Sequence, residues 1–159
     1  MFRQLFADWG QPIRNFLQYK LGNLGQAEDL AQEAFLRLWQ ACGKVAPGKA
    51  KSYLFTVANN LFLDEVKHRK VVFKFQQRNT VKMATEESPE YLLEVTEFEE
   101  RLQQALAKLP EKNRVVFLLN RIDKLTYQEI AERIGISKKA VEKRMSKALV
   151  ELRELSKNI

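Results

Sequence analysis

The stretch LTYQEIAERIGISKKAVEKRMSKAL, Leu125 to Leu149, limits what this chain can fold into more than any other segment. Thr126 stands three residues before Glu129, the spacing of a capping box in which hydroxyl and carboxylate each accept from the other residue's amide. Ile130, Ala131 and Ile134 form an apolar stripe, and Gly135 suits the left-handed position that ends a helix. Ser137 can cap a second helix. There Val141, Met145, Ala148, Leu149 and Leu152 share one face, while Lys138, Lys139, Glu142, Lys143, Arg144 and Lys147 lie elsewhere. The expected unit is helix, tight turn, helix, with an apolar back and a cationic front. Such a front fits the DNA major groove, its first turns meeting base edges while Lys and Arg meet phosphates. Charge alone is more often just a solvated face; caps, glycine and spacing together favour the DNA reader.

The balance of charge points the same way. The 159 residues carry a formal net charge of +7, which favours a polyanionic partner, nucleic acid first and an anionic membrane surface second. Residues 1–75 hold 11 Lys/Arg against 6 Asp/Glu, residues 76–96 hold 2 against 4, and residues 97–159 hold 14 against 10. Two basic blocks thus flank an acidic one. No run of about 18 uncharged apolar residues occurs, and the N-terminus lacks an apolar core with a cleavage site, so a cytoplasmic protein without direct membrane insertion is expected. Cys42 and His68, single residues of their kinds, cannot build a disulfide framework or a Cys/His zinc site within one chain, and both read as structural. Asp64 and Glu65 are adjacent on a helix and point apart, and no carboxylate or histidine cluster stands out. Neither metal nor cofactor nor enzymatic activity is expected.

Strand patterning is nearly absent. Only KVVFKF, residues 70–75, has β-like content, and it follows a helix directly, so it reads as a fraying end or an extended exit. Apolar periodicity and the punctuation by Gly22, Gly25, Gly43, Pro47, Gly48, Pro110 and Gly135 predict helices near 2–22, 26–41, 50–70, 97–108, 111–121, 127–134 and 138–155. The polar stretch 76–96, with its Ser88-Pro89, reads as a linker.

Two upstream helices carry unusual faces. In AEDLAQEAFLRLW, Ala27 to Trp39, Ala27, Leu30, Ala31, Ala34 and Leu38 fall on one side and Asp29, Gln32, Glu33, Leu36 and Gln40 on the other. An acidic, amide-rich face with a leucine suits a protein-docking surface, although on pattern alone an ordinary solvated face is the commoner reading. In SYLFTVANNLFLDEVKHRK, Leu54, Ala58, Leu61, Phe62 and Val66 make a core stripe, opposite Tyr53, Thr56, Asn60, Asp64 and Lys67. Aromatic, amide and cation together can hold single-stranded bases; a polar face paired with a neighbouring helix fits them equally.

These two segments, followed by LPEKNRVVFLL and the Leu125–Leu149 stretch, resemble in order and spacing a bacterial RNA polymerase sigma factor of the extracytoplasmic-function group, over nearly the whole chain. The ending VEKRMSKAL is similar to the iron-citrate-type subgroup. The resemblance implies an all-α protein of two small helical domains, sigma region 2 at 1–75 and sigma region 4 at 97–159, joined by a flexible linker at 76–96 that runs toward the RNA exit path. It implies docking on the clamp coiled coil and flap of core RNA polymerase, the clamp through Asp29, Gln32, Glu33, Leu36 and Trp39. It assigns melted −10 DNA to Lys49, Lys51, Tyr53, Asn60, Asp64 and Lys67, with the loop from Lys44, and duplex −35 DNA to Ser137, Lys138, Lys139, Glu142, Lys143, Arg144 and Lys147. A membrane-linked anti-sigma factor is implied as a further partner.

Three positions depart from the family's usual pattern. Tyr53 stands where tryptophan is frequent, Asn59 where arginine is frequent, and Ala140 where threonine is usual; the last two remove a cation and a hydroxyl near DNA. The alternative is a LuxR-like helix-turn-helix regulator binding operator DNA as a dimer. Against it stands an N-terminal half without the alternating strand and helix pattern of a receiver.

Overall fold

The computed structural model describes residues 2–68 and 89–157. Helices α1 (Phe2–Leu21), α2 (Leu24–Ala41) and α3 (Ala50–His68) form the first half; α4 (Pro89–Lys108), α5 (Glu111–Arg121), α6 (Tyr127–Ile134) and α7 (Lys138–Lys157) form the second. A short 3-10 turn, Pro47–Lys49, leads into α3. Among the described residues there is no strand. The stretch 70–75 and residues 76–88 of the expected linker lie outside the described residues.

Local chemistry sets the boundaries. Asn23 Oδ1 accepts from the Gln26 amide at 3.1 Å, so α2 starts at Leu24 rather than at residue 26, with Gly25 inside its first turn. α4 begins at Pro89, inside the stretch read as linker: proline at a helix's first position gives up no hydrogen bond that the helix could have used. α6 and α7 start at the expected residues. Thr126 Oγ1 accepts from the Glu129 amide and Glu129 Oε1 from the Thr126 amide, both at 3.1 Å, while Gly135 closes α6 at φ +74°. Ser137 Oγ accepts from the Ala140 amide at 3.1 Å and caps α7.

The first half packs α2 against α1 and α3. Ala27, Ala31 and Ala34 let the backbones approach closely, and Ile13, Leu17, Leu38, Leu54 and Ala58 fill the centre. In the second half Val116, Leu119, Ile130, Val141, Met145 and Ala148 are fully buried where α5, α6 and α7 meet. Buried side chains of the two halves join in one core, α1 lying against α5. Val66, expected in the α3 stripe, is exposed, because the last turn of α3 runs past the core. Cys42 and His68 are exposed too and pack no interior.

Replacing Thr126 by Ala should lower the unfolding free energy by about 1 kcal/mol, read by urea denaturation. The amide and hydroxyl of Thr126 hold the Glu129 carboxyl below its usual pKa. A carboxylate so depressed contributes stability that is fully present above the unfolded value of about 4.3 and is lost as pH falls through the lower folded one. The stability gap between the wild type and Glu129→Gln should therefore stand at pH 7 and close on acidification.

Candidate functional site

α2 lays its alanine face on the core, which leaves Asp29, Gln32, Glu33, Leu36 and Trp39 as one outward stripe. Leu36 and Trp39 are 49% and 57% exposed, large apolar groups in water beside acidic and amide neighbours. Trp39 stands edge-on to Phe2, centroids 5.0 Å apart, and Glu33 accepts from Arg37 Nε at 3.2 Å. Apolar anchors inside a polar rim are the anatomy of a protein-docking surface.

On α3, Asn60, Asp64 and Lys67 are exposed along one side, with Tyr53 half-buried against the core and Lys49 exposed in the preceding turn. Lys51 is engaged elsewhere. Its ammonium lies 4.7 Å from the centroid of Trp9, a ring that also packs edge-on against Phe55. The Arg133 guanidinium of α6 approaches the same indole, 5.3 Å from its centroid. One tryptophan of α1 thus holds a cation from each half.

Along α7, Ser137, Lys138, Lys139, Glu142, Lys143 and Lys147 are exposed, Ser137 also serving as the cap. Arg144 is half-buried and lines a cleft of about 430 Å³ between the halves, shared with Thr56 and Asn59 of α3 and with the turn around Gly135. Six of the seven residues in the −35 set are therefore together on the surface, and the seventh faces α3.

The junction of the halves is built by residues that the sequence reading did not single out. Among the described residues four polar ones are buried, Gln18, Lys20, Asn113 and Arg114, and they sit at the end of α1 and the start of α5. Arg114 Nε donates to the Tyr19 carbonyl at 2.8 Å, its Nη2 to the Lys20 carbonyl at 2.9 Å, and its Nη1 to the Leu109 carbonyl at 3.0 Å. A guanidinium of the second half thereby completes the C-terminus of a helix in the first. Burial pushes the Arg114 pKa down to about 10, partly opposed by Glu111, so the group stays charged at neutral pH. Lys20 pairs with Glu111 and lies 4.9 and 4.8 Å from the centroids of Phe16 and Phe62; burial lowers its pKa and Glu111 works against that shift. Asp123 accepts from the Tyr19 hydroxyl at 2.5 Å and from Asn15 Nδ2 at 3.3 Å, with Arg133 at 4.0 Å. A signal existed: Arg114 interrupts the apolar stripe of Val115, Leu118 and Leu119, and a cation there needs acceptors from a neighbour.

Residues 5–71 match the family Sigma-70 region 2, and residues 99–152 match Sigma-70, region 4. SigL, an ECF RNA polymerase sigma factor of Mycobacterium tuberculosis (strain H37Rv), is 30% identical over 161 residues, which cover 96% of this chain and 87% of SigL. This chain belongs to the extracytoplasmic-function sigma factors. SigE of Mycolicibacterium smegmatis is 31% identical over 87% of this chain; the aligned stretch spans only 55% of SigE. The ferric citrate uptake sigma factor FecI of Escherichia coli K12 is 28% identical over 93% of this sigma factor and 86% of FecI. With relatives of several kinds at similar identity, the iron-citrate type is one of several possible subgroups. Two solved structures share the fold: CnrH in complex with the cytosolic domain of CnrY (TM-score 0.63, 24% identity, 99% of this chain and 88% of that one) and RpoE with the anti-sigma factor NepR from Bartonella quintana (0.64, 22%, 98% and 96%). The region 2 match disfavours a LuxR-like regulator.

Replacing Arg114 by Met should lower the unfolding free energy by about 2–4 kcal/mol, because the three carbonyls lose their donor. Urea denaturation of the full chain reads the change.

Proposed function

We propose that this sigma factor docks its α2 stripe on the clamp coiled coil of core RNA polymerase and gives the enzyme promoter specificity, α7 gripping duplex −35 DNA while α3 captures melted −10 DNA. The observation that carries the reading is the α2 stripe, where Leu36 and Trp39 stand exposed among Asp29, Gln32 and Glu33 within the region 2 match. Its acidity makes it unfit for DNA in a chain of net charge +7, whereas α7 offers cations where phosphates would lie. On α3, Asn60 and Asp64 supply donors and acceptors for an extruded base; unstacking costs a few kcal/mol, so a site that holds the base stabilises the open strand. The protein performs no chemistry of its own and acts in the cytoplasm, without cofactor or metal. The remaining contacts, with the polymerase flap through region 4 and with a membrane-linked anti-sigma factor that covers the docking surfaces, belong to the same proposal; CnrH and RpoE, solved with CnrY and NepR, support an anti-sigma partner.

Size-exclusion chromatography with sigma-free core polymerase tests the reading. The wild type should co-elute, and Asp29→Lys/Glu33→Lys should not. A wild type that stays off core while binding duplex DNA would return the operator-binding reading. On bare duplex DNA the affinity should be weak and fall with salt; Lys139→Ala/Lys143→Ala should flatten the slope of log K against log salt by about 2 units.

A further inference from the structure

The cleft between α3 and the turn around Gly135 has the lining of a small-molecule site. Its volume of about 430 Å³ falls within the range of about 300–1,000 Å³ that ligand pockets occupy. Phe16 and Phe55, both buried, line it together with Ile134 and Ile136. Thr56 and Asn59 add a hydroxyl and an amide, groups that both donate and accept. Asn59 stands where arginine is frequent in the family, and its shorter, neutral side chain leaves room that an arginine would fill. The charge of the lining is unbalanced: four cations, Lys20, Lys112, Arg133 and Arg144, face two carboxylates, Glu111 and Glu132. Lys20 is paired with Glu111, and Arg133 lies 4.0 Å from Asp123. Among the described residues no carboxylate pairs with Arg144 or Lys112. The Arg144 charge reaches the interior: burial lowers the Lys20 pKa, Glu111 opposes that shift, and Arg144 and Arg114 push it down again.

We propose that this cleft binds a free ribonucleoside monophosphate, its phosphate on Arg144 and Lys112 and its base among Phe16, Phe55, Thr56 and Asn59. Two cations without a carboxylate call for a group of nearly two negative charges, which a phosphate monoester carries at neutral pH and a carboxylate does not. A guanidinium takes phosphate through two parallel hydrogen bonds, and the lysine adds a point charge beside it. Aromatic and branched apolar walls suit a flat ring. The hydroxyl and the amide suit a ring whose edge carries donors and acceptors together, as a nucleobase edge does. A simple fatty or aryl acid would leave them unused. The site stands or falls independently of the sigma reading, but its consequence rests on that reading. Arg144 belongs to the set assigned to −35 DNA, so an occupant of the cleft competes with the promoter for that guanidinium.

Isothermal titration of the full chain with the 5′-monophosphates of adenosine, guanosine, cytidine and uridine tests the site. At least one should bind, one per chain, with a Kd on the order of 10–100 µM, and inorganic phosphate should bind at least about tenfold more weakly. Arg144→Gln should weaken the nucleotide at least about tenfold, and Arg144→Lys should recover part of that loss. Thr56→Trp, at an exposed position of α3, should fill the cleft and abolish binding with every cation kept. Lys139→Gln, exposed on α7 outside the cleft, makes the same change of charge and should leave the Kd within about twofold. Circular dichroism melts establish that each variant is folded. Binding of none of the four below about 1 mM overturns the site. Equal losses in Arg144→Gln and Lys139→Gln, or inorganic phosphate as tight as the nucleotide, reduce it to diffuse attraction of anions and overturn it as well. A single-stranded DNA tetramer that binds more tightly than every mononucleotide gives the cleft to a strand and overturns the free nucleotide. Duplex DNA affinity that stays unchanged at saturating nucleotide overturns the competition. A chain that binds nucleotide but does not co-elute with core polymerase keeps the site and loses the sigma reading.

Discussion

The arrangement of the molecule turns on one guanidinium. Arg114 belongs to α5, but two of its three acceptors are carbonyls in the last turn of α1. An α-helix leaves its final carbonyls unpaired and concentrates partial negative charge there. In α1 the Gly22 amide, at φ +73°, takes the Gln18 carbonyl at 2.7 Å, and Arg114 takes the next two. Without Arg114 these groups would be buried and short of donors. The orientation of α5 against α1, and with it the placement of α6 and α7, follows from satisfying them.

The energetics of such a junction are nearly balanced. Desolvating a guanidinium costs several kcal/mol, and hydrogen bonds to a charged group return about 1.5–3 kcal/mol each. The Lys20–Glu111 pair and the Asp123 cluster follow the same rule, with large opposing contributions and a small net gain. Removing one partner is expensive, because the other stays buried; separating both into water is not. A contact of this kind specifies the geometry of the junction beside the apolar core that the halves share.

Much of this was legible from the chain, and the limits have physical causes. The capping box, Gly135 and Ser137 act within a few residues, so α6 and the start of α7 fall where they were expected. α2 starts two residues early because Asn23 caps it, a signal masked by Gly22 and Gly25 on either side. Polar composition hid the start of α4, although Pro89 marks a legitimate first position. The α2 stripe and the exposed cations of α7 were readable because they are faces of single helices. The surroundings of Lys51 and Arg144 were not readable for the opposite reason: their neighbours, Trp9 and the α3 side of the cleft, are distant in sequence.

That distinction separates surfaces that stand on one helix from sites that need both halves. Surfaces that belong to a single helix, such as the α2 stripe, are set by that helix alone. The cleft that holds Arg144 depends on both halves, since α3 and the turn around Gly135 line it together. Arg144 lies in the cleft between the halves, and Lys51 lies on the Trp9 indole within the first half. Joining the halves therefore fixes where Arg144 lies, whereas the contact of Lys51 with Trp9 is set within the first half alone.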